Sequence, residues 1–95
     1  MKENFEKKLH RNLSDFYEFL VERYPYPEGR IRGIIACTGF ILKKFNKLHI
    51  NNDDLDNIKA YMKSMRLTKD TIDYYVTSAG FYVRYIEDTK SVMIK

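Results

Sequence analysis

Few residues of this chain have the types and the spacing that catalysis or metal binding requires. Cys37 is the one cysteine, and the two histidines, His10 and His49, lie far from it and from each other, so no structural zinc site is expected. The acidic residues within 53–56 precede an apolar repeat, where stabilisation of a helix start explains them better than a metal does. Four scattered glycines form no phosphate-binding loop. The sequence therefore predicts no catalytic site, metal or cofactor for this chain acting alone.

The distribution of charge favours a binding role instead. The formal net charge is +4, and residues 1–48 hold ten Lys and Arg against six Asp and Glu, whereas residues 49–95 hold seven of each. No acidic residue occurs from residue 29 to residue 52. The basic residues of that segment are Arg30, Arg32, Lys43, Lys44 and Lys47. Such a local concentration of positive charge is a candidate contact for nucleic-acid phosphates.

Four amphipathic helices are predicted to position these residues, because apolar side chains recur at spacings of three and four. The first two are predicted over residues 3–23 and 28–46, separated by a Tyr-Pro-Tyr-Pro turn in which the prolines interrupt helical hydrogen bonding. The third begins after the predicted N-cap Asn51 and the fourth after the predicted N-cap Thr68. The fourth is expected to end near residues 87–89.

One domain is predicted over residues 1–90, with residues 91–95 as a tail or the start of a linker, since a chain of 95 residues is too short for two large cores. The apolar faces of the four helices supply the predicted core. Its buried members are expected to be Ile31, Ile34, Phe45, Leu55, Ile58, Ile72, Val76 and Val83.

Two outward helix faces are candidate binding surfaces. At about 100° per residue, the side of the second helix opposite its core is basic at both ends. This side holds Arg32, Gly33, Ala36, Phe40, Lys43 and Lys44. The equivalent side of the fourth helix offers hydroxyl groups that can bind phosphates or base edges. It holds Asp70, Thr71, Tyr74, Thr77, Ser78, Phe81 and Arg84. The alternative is that both faces are solvated, or that Phe40 and Phe81 pack under the first helix or the C-terminal tail.

The later part of the chain combines an acid-led helix, a Thr-x-x-Thr-Ile helix start and an aromatic-rich helix end. It reads Leu48-x-Ile50-Asn51-x-Asp53-Asp54-Leu55-x-x-Ile58-x-x-Tyr61-Met62, then Leu67-Thr68-Lys69-Asp70-Thr71-Ile72-x-x-Tyr75-Val76, then Gly80-Phe81-Tyr82-x-x-Tyr85-Ile86. An apolar helix that opens with Arg30-Ile31 and ends Phe40-Ile41-Leu42-x-x-Phe45 precedes it. In order and spacing, residues 5–88 resemble the N-terminal core-binding (SAM-like) domain of phage integrases and tyrosine recombinases.

This resemblance implies an all-α fold of two helical hairpins packed crosswise, with the second and fourth helices facing the major groove of duplex DNA. It implies DNA contacts at the start of the second helix and along the fourth. Together with the basic residues noted above, the expected DNA-binding residues are Arg30, Arg32, Gly33, Lys43, Lys44, Lys69, Thr71, Tyr74 and Thr77. In the family, catalysis belongs to a separate domain of the same parent chain, and this chain holds no His-x-x-Arg motif of that domain.

The expected function is therefore that of a DNA-binding domain, monomeric by itself, that positions a recombinase catalytic domain on its site. The alternative is a helical protein-interaction module that docks a partner through exposed Phe40, Tyr74 and Phe81. A single cysteine indicates a reducing cytoplasm. The charged N-terminus lacks a signal-peptide core, and no apolar run approaches the roughly 18 residues that a membrane span needs.

Overall fold

Four α-helices make up the fold of residues 4–94, which are the residues that the computed structural model describes, with side chains described as far as residue 89. They are α1 (Phe5–Arg23), α2 (Glu28–Phe45), α3 (Asn52–Ser64) and α4 (Lys69–Ile94). No strand occurs among these residues. The prediction of an all-α fold with four main helices is confirmed. None of the helices in this part of the chain is long and apolar enough to cross a membrane.

The chain divides into two compact units, each built on one helical hairpin. The first unit, Met1–Leu48, contains α1 packed on α2, and the second unit, His49–Lys95, contains α3 packed on α4. This boundary coincides with the division of charge in the sequence, because residues 1–48 hold the whole positive excess and residues 49–95 are neutral overall. The two hairpins therefore differ in what they can attract.

Local signals in the sequence set the limits of the first hairpin. The Asn4 side chain caps α1 by accepting a hydrogen bond from the Lys7 backbone N–H at 2.8 Å. The turn between the helices is extended, and Pro27 stands at the N-cap of α2 with φ −64°, a value that its ring imposes. The helix α2 ends where Asn46 adopts a left-handed conformation with φ 53°. Asparagine tolerates this conformation better than most residues do.

The core of the first hairpin is apolar and closely packed. The α1 residues Leu9, Phe16 and Leu20 are buried, and so are Ile31, Ile34, Ile41 and Leu42 of α2. The two helices approach closely at Gly39, where an added Cβ would lie 3.2 Å from Leu13 Cδ1. Glycine at this position therefore allows the helices their short separation.

Both predicted caps of the second hairpin are confirmed. The Asn51 side chain accepts a hydrogen bond from the Asp54 backbone N–H at 3.1 Å, and the Asp54 carboxylate accepts one from the Asn51 backbone N–H at 2.9 Å, which completes a capping box. At the start of α4, the Thr68 hydroxyl accepts from the Thr71 backbone N–H at 3.2 Å. The short turn before it places Arg66 in a left-handed conformation with φ 60°.

The end of α4 differs from the prediction. The helix does not fade near residues 87–89 but continues to Ile94, so residues 91–94 are helical where a tail was expected. The polar residues 87–89 had favoured an end of the helix there. Neither glycine nor proline follows Gly80, however, and acidic residues and lysine are compatible with a continuing helix.

Most of the predicted core is buried. Ile31, Ile34, Ile58, Ile72 and Val83 are buried as expected, whereas Phe45, Leu55 and Val76 are only half-buried. Phe45 is the last residue of α2 and Leu55 the fourth residue of α3, so both stand near helix ends.

The middle of α4 departs from simple amphipathicity. Ser78, Ala79, Phe81, Tyr82, Val83 and Tyr85 are all buried. The buried face therefore spans about 200° of the helix circumference, and exposed Thr77 and Arg84 lie on the opposite side. The buried Ser78 hydroxyl is satisfied by donating to the Tyr74 carbonyl oxygen at 2.8 Å. Phe81, with 9% of its surface exposed, belongs to the core rather than to an outward face. The expectation that Phe81 is an exposed docking residue is therefore wrong.

Candidate nucleic-acid interface

The exposed face of α2 is a strip of three side chains spread over about three turns. Arg32, Ala36 and Lys43 are exposed and lie within about 40° of one another around the helix axis. Arg32 and Lys43 are eleven positions apart, about 16 Å along the axis, so the strip is positive at both ends and small in the middle. Lys44 is exposed beside it, whereas Gly33 and Phe40 are half-buried. The α2 face thus keeps its basic residues at the surface.

The first end of this strip is held by a carboxylate. Glu28, in the first turn of α2, pairs with Arg32, with Nη2 and Oε2 3.4 Å apart, and its other oxygen accepts a hydrogen bond from the Tyr17 hydroxyl at 3.1 Å. The bond to Glu28 raises the pKa of Tyr17, since ionisation would remove the proton that the phenol donates. The Arg32 and Glu28 side chains are 72% and 62% exposed. An ion pair this exposed contributes little to stability, so a phosphate can replace the carboxylate at small cost.

The second end of the strip is paired in the same way. Lys43 Nζ lies 3.8 Å from a carboxylate oxygen of Glu6, in the first turn of α1. Both side chains are largely exposed. Two basic residues of the acid-free segment 29–52 are therefore paired with carboxylates from outside it. Glu28 lies just before the segment, and Glu6 lies on α1. The positive potential around α2 is weaker than the sequence of the segment alone suggests.

Arg30 is positioned by the aromatic turn between α1 and α2. Its guanidinium lies 4.4 Å from the centre of the Tyr26 ring, and the Tyr24 and Tyr26 rings are stacked, with centroids 5.5 Å apart and planes within 5°. Tyr24 and Phe19 form an edge-to-face pair, with ring centroids 6.3 Å apart. A cation over an aromatic face keeps its charge and its outward N–H donors. Arg30 is exposed, and its contact with Tyr26 fixes its position at the start of α2.

The predicted residues of α4 lie on the second unit and have different surroundings. Lys69, Tyr74 and Thr77 are exposed, with 41% of the Tyr74 surface accessible. Thr71 is half-buried, and its hydroxyl accepts a hydrogen bond from the Thr68 hydroxyl at 2.9 Å, so this side chain takes part in the helix cap.

Acidic residues accompany the predicted contacts on this face of α4. Asp70 and Asp73 are exposed on the same first two turns as Thr71 and Tyr74. Two carboxylates repel phosphate, so the exposed start of α4 is not a basic surface like that of α2.

Several residues that shape these surfaces were not predicted from the sequence. Glu28 and Arg32 stand four residues apart on one helix, a spacing that favours an ion pair and could have identified Glu28. Glu6 reaches Lys43 only through the packing of α1 on α2, and no local pattern shows this. Tyr17 contacts Glu28 for the same reason.

The described residues offer no cluster of side chains of the kinds that bind metal ions. No group of three or more His, Cys, Asp or Glu side chains among residues 4–89 could hold a metal ion, and Cys37 is buried in the first hairpin. No protein-family model, curated protein or solved structure matches the chain.

Proposed function

We propose that this chain is a DNA-binding module that grips the backbone of duplex DNA through the basic face of α2. The observation that carries the proposal is the location of the charge. All of the net positive charge lies in the first unit, and α2 presents Arg32, Lys43 and Lys44 on exposed positions with no acidic residue of its own after Glu28. Such a face matches the sequence-independent attraction of the phosphate backbone.

The residues divide into two roles. The charged groups at the two ends of α2 would contact phosphates, and Arg30, held over Tyr26, would present its donors at the helix start. On α4, Lys69 would contact a phosphate, while Thr71, Tyr74 and Thr77 would supply hydroxyl groups to base edges in the groove. Small Gly33 and Ala36 would let the α2 backbone approach the DNA surface.

The family resemblance gives the proposal its biological form. A core-binding domain of a tyrosine recombinase would hold the recombination site while a separate catalytic domain of the parent protein cuts and rejoins the strands. Such a protein would act in the cytoplasm of a cell that carries the mobile element. The protein-docking alternative receives less support, because Phe81 is buried and Phe40 half-buried, which leaves Tyr74 as its one exposed aromatic anchor.

A salt titration tests the proposal. Binding of a fluorescent duplex to the full chain is measured by anisotropy at increasing salt, because the logarithm of the binding constant falls by about 0.9 per phosphate neutralised. The Arg30→Ala/Arg32→Ala variant is expected to bind more weakly and to lose up to about two from this slope. The matched control is Lys7→Ala/Lys8→Ala on α1, which removes the same charge outside the proposed surface and should leave the slope nearly unchanged.

The α4 residues call for a different measurement. Thr77→Ala and Tyr74→Ala remove no charge, so the salt slope should stay near that of the wild type, while discrimination between the cognate site and unrelated duplex should shrink. An unchanged slope in the Arg30→Ala/Arg32→Ala variant would remove the start of α2 from the interface. Failure of the wild-type chain to bind any duplex at low salt would reject the proposed function.

A further inference from the structure

A second basic surface lies in the second unit, at the turn between α3 and α4. It is a recess of about 360 Å³. Its lining is Lys59, Lys63, Leu67, Lys69, Ile72 and Asp73. We call it the lysine recess. Two of its lysines were not among the residues predicted from the sequence, and the charge of the unit as a whole gives no hint of it, because residues 49–95 are neutral.

Local structure brings the three lysines together. Lys59 and Lys63 stand one turn apart on α3, so both point from the same side of that helix. Lys69 is the first residue of α4 and enters the recess from the other side of the turn. Beneath them lie the buried Ile72 and half-buried Leu67, which flank the Thr68 cap in the positions of a hydrophobic staple. The recess therefore has an apolar floor and a positively charged rim.

The charge of the lysine recess is not neutralised internally. All three lysines are exposed, and none has an ion pair with a carboxylate of the described residues. Asp73, on the rim, pairs with none of them within 4.0 Å. Arg32 and Lys43 on α2 differ, since each already holds a carboxylate. Like charges one turn apart on a helix oppose each other, and an anion placed between them relieves that repulsion.

A tetrahedral oxyanion suits this arrangement. Ammonium groups are compact point charges with three donors each and bind phosphate readily. The start of α4 adds the positive end of a helix whose first backbone N–H groups, at Lys69 and Asp70, have no partner within the helix. Three cations against one carboxylate leave the recess with a clear preference for an anion.

We infer that the lysine recess binds a backbone phosphate of duplex DNA. The inference rests on the proposed function and extends it to the second unit. The exposed start of α4 carries Asp70 and Asp73 beside the predicted groove contacts. Lys69 alone would not offset the repulsion between these two carboxylates and the DNA phosphates. With Lys59 and Lys63 added, the second unit has a phosphate contact of its own, next to Thr71 and Tyr74 on α4.

The test is the salt titration applied to Lys59→Gln/Lys63→Gln in the full chain. If the recess holds one phosphate, the slope should fall by about 0.9 and the binding constant near 0.1 M salt by about eightfold. Lys7→Gln/Lys8→Gln, which removes the same charge from exposed positions of α1, is the matched control and should retain the wild-type slope. Because both α3 lysines are exposed, circular dichroism should show the variant as folded as the wild type.

The outcomes separate this inference from the proposed function. If the wild type binds duplex but the Lys59→Gln/Lys63→Gln variant matches it, or loses no more than the control, the recess does not contact DNA while the α2 proposal stands. If only the α3 variant loses slope and Arg30→Ala/Arg32→Ala does not, the lysine recess contacts DNA and the start of α2 does not.

A direct readout completes the test. Side-chain ammonium signals of Lys59 and Lys63, followed by ¹⁵N NMR, should shift when duplex is added. Shifts with inorganic phosphate but none with duplex would overturn the assignment to DNA.

Discussion

Replacing Gly80 by alanine should stabilise the protein. Gly80 lies inside α4 in a right-handed helical conformation, and a Cβ built there meets nothing within 4 Å. Glycine in a helix interior is about 0.8–1.0 kcal/mol less favourable than alanine because it loses more backbone entropy. With no clash to offset the gain, Gly80→Ala should raise the free energy of unfolding by about 1 kcal/mol. For a chain of this size, that corresponds to a rise in Tm of roughly 4–8 °C.

Gly39 should behave differently although it also lies inside a helix. Here the new Cβ would be 3.2 Å from Leu13 Cδ1, and Gly39 itself is buried. The same entropic gain is opposed by overpacking, which costs about 1–3 kcal/mol in a tight core. Gly39→Ala should therefore range from neutral to about 2 kcal/mol destabilising.

Urea and thermal unfolding of the full chain, followed by circular dichroism, measure both variants. Ala36→Gly, on the exposed strip of α2, calibrates the helix-propensity effect and should cost about 1 kcal/mol. The reasoning would be refuted if Gly39→Ala stabilised the chain as much as Gly80→Ala. In that case the close approach of α1 and α2 at Gly39 would not exist in solution.

Two further predictions concern hydrogen bonds. Thr68→Ala should lower the free energy of unfolding by about 1 kcal/mol, because the Thr71 N–H at the start of α4 loses its acceptor, and a denaturant melt with no change would contradict the cap. Glu28→Ala should lower the pKa of Tyr17 towards its ordinary value, since it removes the carboxylate oxygen whose hydrogen bond is the chief cause of the raised pKa. An NMR pH titration of Tyr17 measures this, and an unchanged value would show that the bond does not persist in solution.

The helices were predictable because their signals are local. Each helix start after α1 depends on an interaction within a few residues: Pro27 before α2, Asn51 with Asp54 at α3, and Thr68 with Thr71 at α4. Sequence spacing therefore suffices to place these starts. The end of α4 was not predictable in this way. Charged residues are compatible both with a helix and with its end, and no glycine or proline follows Gly80 to decide between them.

Burial in the middle of α4 also exceeded what periodicity can indicate. A helical wheel assigns one apolar face, and it placed Phe81 on the opposite side. The wheel assumes solvent on that opposite side, but the buried residues between Ser78 and Tyr85 span about 200° of the circumference, and Phe81 lies at one border of this buried arc. Tertiary packing therefore decides which aromatic residues are available for binding, and Tyr74, one helical turn before Ser78, is the exposed one.

Electrostatic surroundings were the least predictable feature, because they depend on which side chains folding brings close. Linear counting gave the segment after Glu28 five basic residues and no acidic one. Packing placed Glu6 beside Lys43, and helical spacing placed Glu28 beside Arg32. Charge counting does not single out Lys59 and Lys63, because they lie in the half of the sequence whose charges cancel. A local recess of like charge can exist within a unit whose charges cancel overall.

The two arginines at the start of α2 should contribute unequally to DNA binding, because only Arg32 is paired with a carboxylate. When Arg32 transfers to a phosphate, the Glu28 carboxylate is left beside the DNA, so the pair neutralises little charge overall. Arg30 carries no such partner, because it is held by the face of Tyr26, which keeps the full positive charge available. Counterion release depends on the net phosphate charge that the protein neutralises. Most of the slope lost by Arg30→Ala/Arg32→Ala should therefore come from Arg30, and Arg32 should act chiefly by orienting its fork of donors on a phosphate.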